Sequence, residues 1–194
     1  MNKVPIFQTQ AVRQLEKAGG KHDLMQLAGK AALAVIEKRF PKAQKIALVC
    51  GRGNNGGDGY VLAALLKQQH KEVTIWQVGE HAGLSDAAQA GFKACQQLNI
   101  PMQPMFATAD FNHPDLIVDA IMGIGLSGPL KEELAHFIHQ INGLNRPILA
   151  LDIPTGIDAD TGAVQGAAIN AQATVTFLGL KIGLCTGAGI AHAG

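Results

Sequence analysis

Asp119 and Asp152 each interrupt or end a short apolar run, Lys181 follows another, and the run Ile46 to Cys50 opens onto Gly51-Arg52-Gly53-Asn54-Asn55-Gly56-Gly57-Asp58-Gly59. Strands ordinarily exclude Asp, and a charge at the end of a buried run seldom serves packing. Carboxylates and an amine converging at strand ends are the residue types of proton transfer. Five glycines in nine positions, costly in conformational entropy, let a backbone approach a phosphate or nucleotide closely. Ligands of open α/β sheets bind beyond the carboxyl ends of the strands, so Asn54, Asn55, Asp58, Asp119, Asp152, Thr155 and Lys181 read together as one crevice.

Several of these residues also have a plainer reading. Gly51-x-Gly53-x-x-Gly56 matches the dinucleotide fingerprint, yet no acidic residue stands about 20 positions on to hold a ribose, and Glu80 comes too late. A tight strand-to-helix turn explains the glycines without a ligand, with Asp58 equally a helix cap or a ligand contact. The asparagine pair suits a turn poorly as a run and points to a ligand. For Asp119 the alternative is a buried acid satisfied by loop amides. His136 and His139 share one side of a helix without a third partner, the pattern of surface residues rather than metal ligands.

What must position the crevice is a series of alternating strands and helices. Asp23 can cap a helix with apolar positions at Leu24, Leu27, Ala28, Ala31, Val35 and Ile36, stopped by Pro41. Lys45 to Cys50 is the first strand, a helical face with Val61, Leu62, Leu65 and Leu66 runs from Tyr60, and Val73 to Val78 alternates as a second strand. Ser85 caps a helix to Leu98, followed by an extended piece from Met102 to Phe106. Leu116 to Met122 is a buried run, Leu130 to Ile141 a helix, and Ile148 to Leu151 and Ala173 to Leu178 the remaining strands. The pattern predicts a single α/β domain over residues 1–194, Rossmann-like and doubly wound, with a mainly parallel sheet and helices on both faces.

Composition narrows the partners. The 194 residues, 47% hydrophobic, are enough for one good core. Lys and Arg total 16 against 15 acidic residues, so there is no broad field for a nucleic acid, and any anion must be gripped locally. Cys50, Cys95 and Cys185 are odd in number and far apart, which supports neither a disulfide framework nor a zinc site. Met1 to Gln10 shows no basic-then-apolar leader, and no apolar run nears the roughly 20 residues of a membrane span. The expectation is a soluble, cytoplasmic protein with no membrane partner.

Four ordered segments carry a resemblance. Asn54-Asn55-Gly56-Gly57-Asp58-Gly59, Val118-Asp119-Ala120-Ile121-Met122-Gly123-Ile124-Gly125-Leu126, Leu151-Asp152-Ile153-Pro154-Thr155-Gly156-Ile157-Asp158 and Thr176-Phe177-Leu178-Gly179-Leu180-Lys181-Ile182-Gly183 closely resemble the NAD(P)H-hydrate epimerases, and Leu24 to Gly29 resembles that family's opening. The resemblance implies an isomerase that interconverts the R and S forms of hydrated NADH and NADPH, damaged cofactors in which water has added beside the ring nitrogen. It implies that Asn54, Asn55, Gly56, Gly57, Asp58, Gly123, Ile124, Gly125, Leu126, Ser127, Gly128, Pro129 and Asp152 contact the hydrated nucleotide. It also implies that Asn55, Asp119 and Thr155 bind a potassium ion; many members have Ser where this chain has Thr155, and the hydroxyl oxygen is retained. One carboxylate with amide and hydroxyl oxygens suits an alkali cation better than zinc. For that reaction Asp152 is expected to be the general acid/base. Lys181 assists protonation or holds a negative oxygen, or else only pairs with Asp152 or Asp119.

Relatives of this kind tend to be homodimers, and many continue into a kinase-like dehydratase domain. The resemblance therefore allows a homodimer and a longer, two-domain parent of which these residues are a fragment. Two readings come from other classes. A non-catalytic nucleotide-binding or scaffold module would be expected to have lost Asp119, Asp152 or the asparagine pair, and all are present. An NAD-dependent dehydrogenase would need the ribose acid and a hydride-transfer partner, and neither is evident.

Overall fold

The structure, a computed structural model, describes residues 4–18, 24–79, 84–105, 111 and 113–194. The expected cap Asp23, the late acid Glu80 and Phe106 lie outside the described residues. The chain opens with β1 (Ile6–Phe7), α1 (Thr9–Ala18) and α2 (Leu24–Arg39), which stops two residues before Pro41. Then β2 (Lys45–Cys50), α3 (Asn54–Gln68), β3 (Glu72–Gln77), α4 (Asp86–Gln97) and β4 (Met102–Pro104) alternate. The second half holds β5 (Leu116–Ala120), α5 (Glu132–Gly143), β6 (Ile148–Leu151), β7 (Ala173–Val175), β8 (Leu180–Lys181), a single 3-10 turn and the short α6 (Gly189–His192).

Six strands pair in the order β4-β3-β2-β5-β6-β7, every pair parallel. The strand order reverses between β2 and β5, and in such sheets the ligand crevice opens at the carboxyl ends beside that reversal. Period-two side-chain direction explains why both faces are covered. Ile46, Leu48 and Cys50 of β2 join Val118, Ala120, Leu149 and Leu151 in a core with α2, α3 and α4. Their neighbours Ala47, Val49, Ile117, Ile148 and Ala150 meet Phe137, Ile138 and Ile141 of α5 on the other face. The doubly wound α/β fold with helices on both faces is therefore present.

Ser85 caps α4 as expected, its hydroxyl accepting the Ala88 N–H at 3.4 Å. The last strand of the sheet ends at Val175 rather than Leu178, because the chain leaves the sheet there and Leu178 turns to φ +61°. It re-extends as β8, which pairs in parallel with β1, Ile6 opposite Leu180 and Phe7 opposite Lys181. Nothing in the sequence pattern announced β1 or β8, since two residues carry no period.

Candidate functional site

β2 ends at Cys50 and α3 starts at Asn54, so the nine-residue glycine run is a three-residue loop followed by helix. Asn54 to Gly59 are the first turns of α3, not a loop, and Asp58 is not its cap: Gly53 is, with no side-chain cap bond. The physical reason is packing. A Cβ at Gly56 would strike the Gly51 carbonyl, one at Gly57 would strike Met25 and Ala88, and one at Gly59 would strike Cys50 and Ala120. Close packing outweighs the poor helix propensity of glycine, about 1 kcal/mol per residue. Of the five, only Gly53 faces open space. Gly57 N–H donates to Gly53 C=O at 3.1 Å, which leaves the N–H groups of Asn54, Asn55 and Gly56 outside the helical ladder at the helix start.

Beside that helix start, β5 carries Asp119, 1% exposed, opposite Val49 of β2. Thr155 grips it from the loop after β6: its hydroxyl donates to Oδ1 at 2.7 Å and its N–H to Oδ2 at 2.8 Å. Ile121 N–H also donates to Oδ1, at 3.1 Å, and Met122 N–H donates to the Thr155 hydroxyl at 3.0 Å. Burial pushes Asp119 up to about 6 against the downward pull of these hydrogen bonds. Asn55, 7% exposed, has neither its amide oxygen nor its amide nitrogen bonded, a condition that only Trp76 Nε1 shares among the buried side-chain N and O atoms of the described residues.

Asp152 stands at the end of β6 with φ +68°, a left-handed backbone that costs a non-glycine residue on the order of 1 kcal/mol. Its N–H donates to Val175 C=O at 2.7 Å, and that turn aims the carboxylate into the crevice. Lys181 Nζ donates to Oδ1, and Ile124 N–H donates to Oδ2 at 3.1 Å. The other two Lys181 protons go to Thr176 Oγ1 at 2.9 Å and Phe177 C=O at 2.7 Å, so the ammonium, 0% exposed, has no free N–H. Lys181 meets Asp152 and not Asp119.

Asn54, Asn55, Asp58 and Asp152 line a crevice of about 1660 Å³, whereas Asp119, Thr155 and Lys181 are buried and do not reach its surface. All the residues expected to contact a nucleotide line it except Gly56, Gly57 and Gly128. One feature escaped the sequence reading: the α1 helix forms part of the wall, with Arg13 and Glu16 at the rim. Asp58 lines the crevice from within α3. Burial first, then Asp152 and Glu16, raise Asp58 to about 8, against the opposing effect of Lys181. The signal for Glu16 was faint, since one Glu on an amphipathic helix reads as a solvated face. His136 and His139 are exposed, as expected of surface residues.

Fold and site together define a class: a Rossmann-like α/β domain with an acid-bearing crevice at its switch point. Residues 21–183 match the family described as YjeF-related protein N-terminus, and the chain belongs to that family. It is 40% identical over 194 residues to the bifunctional NAD(P)H-hydrate repair enzyme Nnr of Coxiella burnetii, covering 97% of this chain and 40% of the relative. It is 40% identical over 178 residues to the NAD(P)H-hydrate epimerase of Legionella pneumophila strain Corby, covering 89% and 66%. With the NAD(P)H-hydrate epimerase of Limosilactobacillus fermentum the identity is 42% over 171 residues, covering 88% and 81%. The first two matches thus span less than two thirds of those relatives' own length. A yeast protein of known crystal structure superposes with a TM-score of 0.84 at 22% identity, over 94% of this chain and 84% of its own, which establishes the fold.

Proposed function

We propose that this crevice interconverts the R and S forms of hydrated NADH and NADPH. The observation that carries the reading is the Asp152 carboxylate, fixed in the crevice by Lys181 and the Ile124 N–H, in a chain 40–42% identical to proteins named NAD(P)H-hydrate epimerase. The carbon to be inverted bears a hydroxyl and a ring nitrogen. It loses water to an iminium and regains it on the other face, and each step moves a proton. Asp152 is the general acid/base at that hydroxyl. Lys181, with every N–H engaged by protein, is a positioning residue that holds Asp152 in place. The free N–H groups and positive dipole end of α3 suit the nucleotide phosphates.

Asn55, Asp119 and Thr155 would hold a potassium ion. Three hydrogen bonds fill three of the roughly four lone-pair positions of Asp119, leaving one for a cation, and the orphaned Asn55 amide oxygen supplies a second hard donor. When bound, the ion supplies positive potential beside the anionic substrate. The reading includes a cytoplasmic setting and a homodimer using Leu27, 54% exposed on α2. No helix among the described residues is long and apolar enough to cross a membrane. Relatives named bifunctional match over only part of their length, and nucleotide-dependent dehydration is not expected of these residues.

The test is to incubate the protein with the purified S form of hydrated NADPH, with and without potassium, and to follow the R form by chromatography. Rapid appearance of the R form, lost in Asp152→Asn, supports the reading. Equal rates in wild type and Asp152→Asn would overturn the role of Asp152, and no R form at all would overturn the activity.

A further inference from the structure

Three acids that line the crevice belong neither to the Asp152–Lys181 pair nor to the cation donors: Glu16 and Glu133, both exposed, and Asp58, which is more deeply set. Asp58 lies in the second turn of α3 and lines the crevice, and no donor among the described residues holds its carboxyl. The charges that face it come from three other elements: Asp152 after β6, Lys181 on β8 and Glu16 on α1, the last at the solvent-exposed rim with Arg13 beside it. Asp152 accepts a donor at each of its two oxygens. Asp58 has no such donors, is largely buried, and is raised to about 8, so near neutral pH it carries its proton. A carboxyl that keeps its proton, set in the same crevice as one whose oxygens are both held by donors, can serve as the acid of a catalytic pair.

Their placement fits a reaction that inverts a carbon. Asp58 lies on α3, which follows β2, and Asp152 follows β6; β2 and β6 flank β5, so the two carboxyls line the crevice from either side of the β5 end. We propose that Asp58 is a second catalytic carboxyl, serving the face of the substrate ring turned towards α3 while Asp152 serves the opposite face.

This rests on the epimerase reading. In one direction Asp58 gives its proton to the substrate hydroxyl, the C–O bond breaks with its electron pair leaving on water, and the ring nitrogen lone pair forms the C=N bond of the iminium. A second water then attacks from the other face, the C=N pair returns to nitrogen, and Asp152 takes the proton that this water loses. Transfer of one proton from Asp152 to Asp58 through solvent resets the pair, and the opposite direction uses the same steps reversed.

The experiment assays wild type, Asp58→Asn and Glu16→Gln with hydrated NADPH across pH, alongside ¹³C NMR of the aspartate carboxyls in the labelled wild-type protein. Asp58→Asn is expected to lower kcat by about 10²–10⁴ with KM little changed. Glu16→Gln, which removes a nearby negative charge, is expected to move the alkaline limb of the rate profile to lower pH. The NMR spectrum is expected to show Asp58 protonated at pH 7, independently of turnover. A wild type without epimerase activity would sink the functional reading and this one together. An active wild type with Asp58→Asn within threefold of it, or with Asp58 ionised at pH 7, would sink this proposal alone.

Discussion

Thr155 holds both oxygens of Asp119, its hydroxyl on Oδ1 at 2.7 Å and its backbone N–H on Oδ2 at 2.8 Å. The two residues are 36 positions apart, so the loop after β6 is clamped to the end of β5 by one side chain and its own main chain. The clamp joins two strand ends of the crevice, and it presents a buried carboxylate with a lone pair to spare.

Replacing Thr155 by Val keeps the backbone bond and the shape but removes the hydroxyl. Asp119 Oδ1 then keeps only the Ile121 N–H, and the expected loss of stability is about 1–3 kcal/mol by urea unfolding. If potassium binds as proposed, it should raise the melting temperature of the wild type and not that of the variant. Thr155→Ser, which retains the oxygen, should restore that response.

Lys181 and Asp152 form a buried pair, with side chains 0% and 12% exposed. Lys181→Met leaves a largely buried carboxylate without its cation, and the expected cost is about 3–5 kcal/mol. Combining it with Asp152→Asn should recover part of that loss. A double-mutant cycle by chemical denaturation reads the coupling, and strictly additive effects would show that the pair is not what fixes this corner.

Asp58→Asn is expected to stabilise the protein increasingly as pH rises. The folded state holds the Asp58 proton up to about 8 against an ordinary 3.8, so it binds more protons than the unfolded chain between those values. The contribution of this acid is therefore fully present below about pH 4 and is lost as pH climbs through 8. The neutral amide removes that loss. Thermal unfolding at pH 4 should show little difference between the proteins, whereas at pH 8 the variant should be ahead by on the order of a few kcal/mol.

A methyl group at Gly123 would collide with the Asp152 carboxylate. Gly123→Ala should lower epimerisation by about 10²-fold or more while the protein remains folded, because catalytic geometry tolerates little displacement. Gly143→Ala, at the end of α5 where a Cβ meets nothing within 4 Å, should leave activity unchanged. Circular dichroism with an activity assay separates the two. Equal activity in both variants would mean that Asp152 can move without consequence.

The buried strands were legible because parallel strands covered on both faces are near-continuous apolar runs, as Ile46 to Cys50 and Ile148 to Leu151 are. An Asp inside such a run was equally legible as unsuited to packing alone: Asp152 lines the crevice beside its partner Lys181, while Asp119 lies buried in the grip of Thr155. The start of α3 was not, since glycine propensity argues for a loop and only the closeness of Gly51, Met25 and Cys50 reveals why helix wins. The pairing of Lys181 with Asp152 stood as one of several options, because it depends on a left-handed turn at Asp152 that its residue type does not announce. Glu16 stayed hidden because α1 is placed by tertiary contacts. Its first N–H, at Thr9, is held at 2.6 Å by Asp160, 151 residues on.

The pairing of Phe7 with Lys181 bears on where this domain begins. The family match starts at residue 21, past both β1 and α1. A protein cut there would keep every recognisable motif, yet it would lose the edge that completes the strand of Lys181, the aromatic ring seated against Gly179, and one wall of the crevice. The segment matched by the family as a whole is therefore smaller than the mechanical unit that aims the acid.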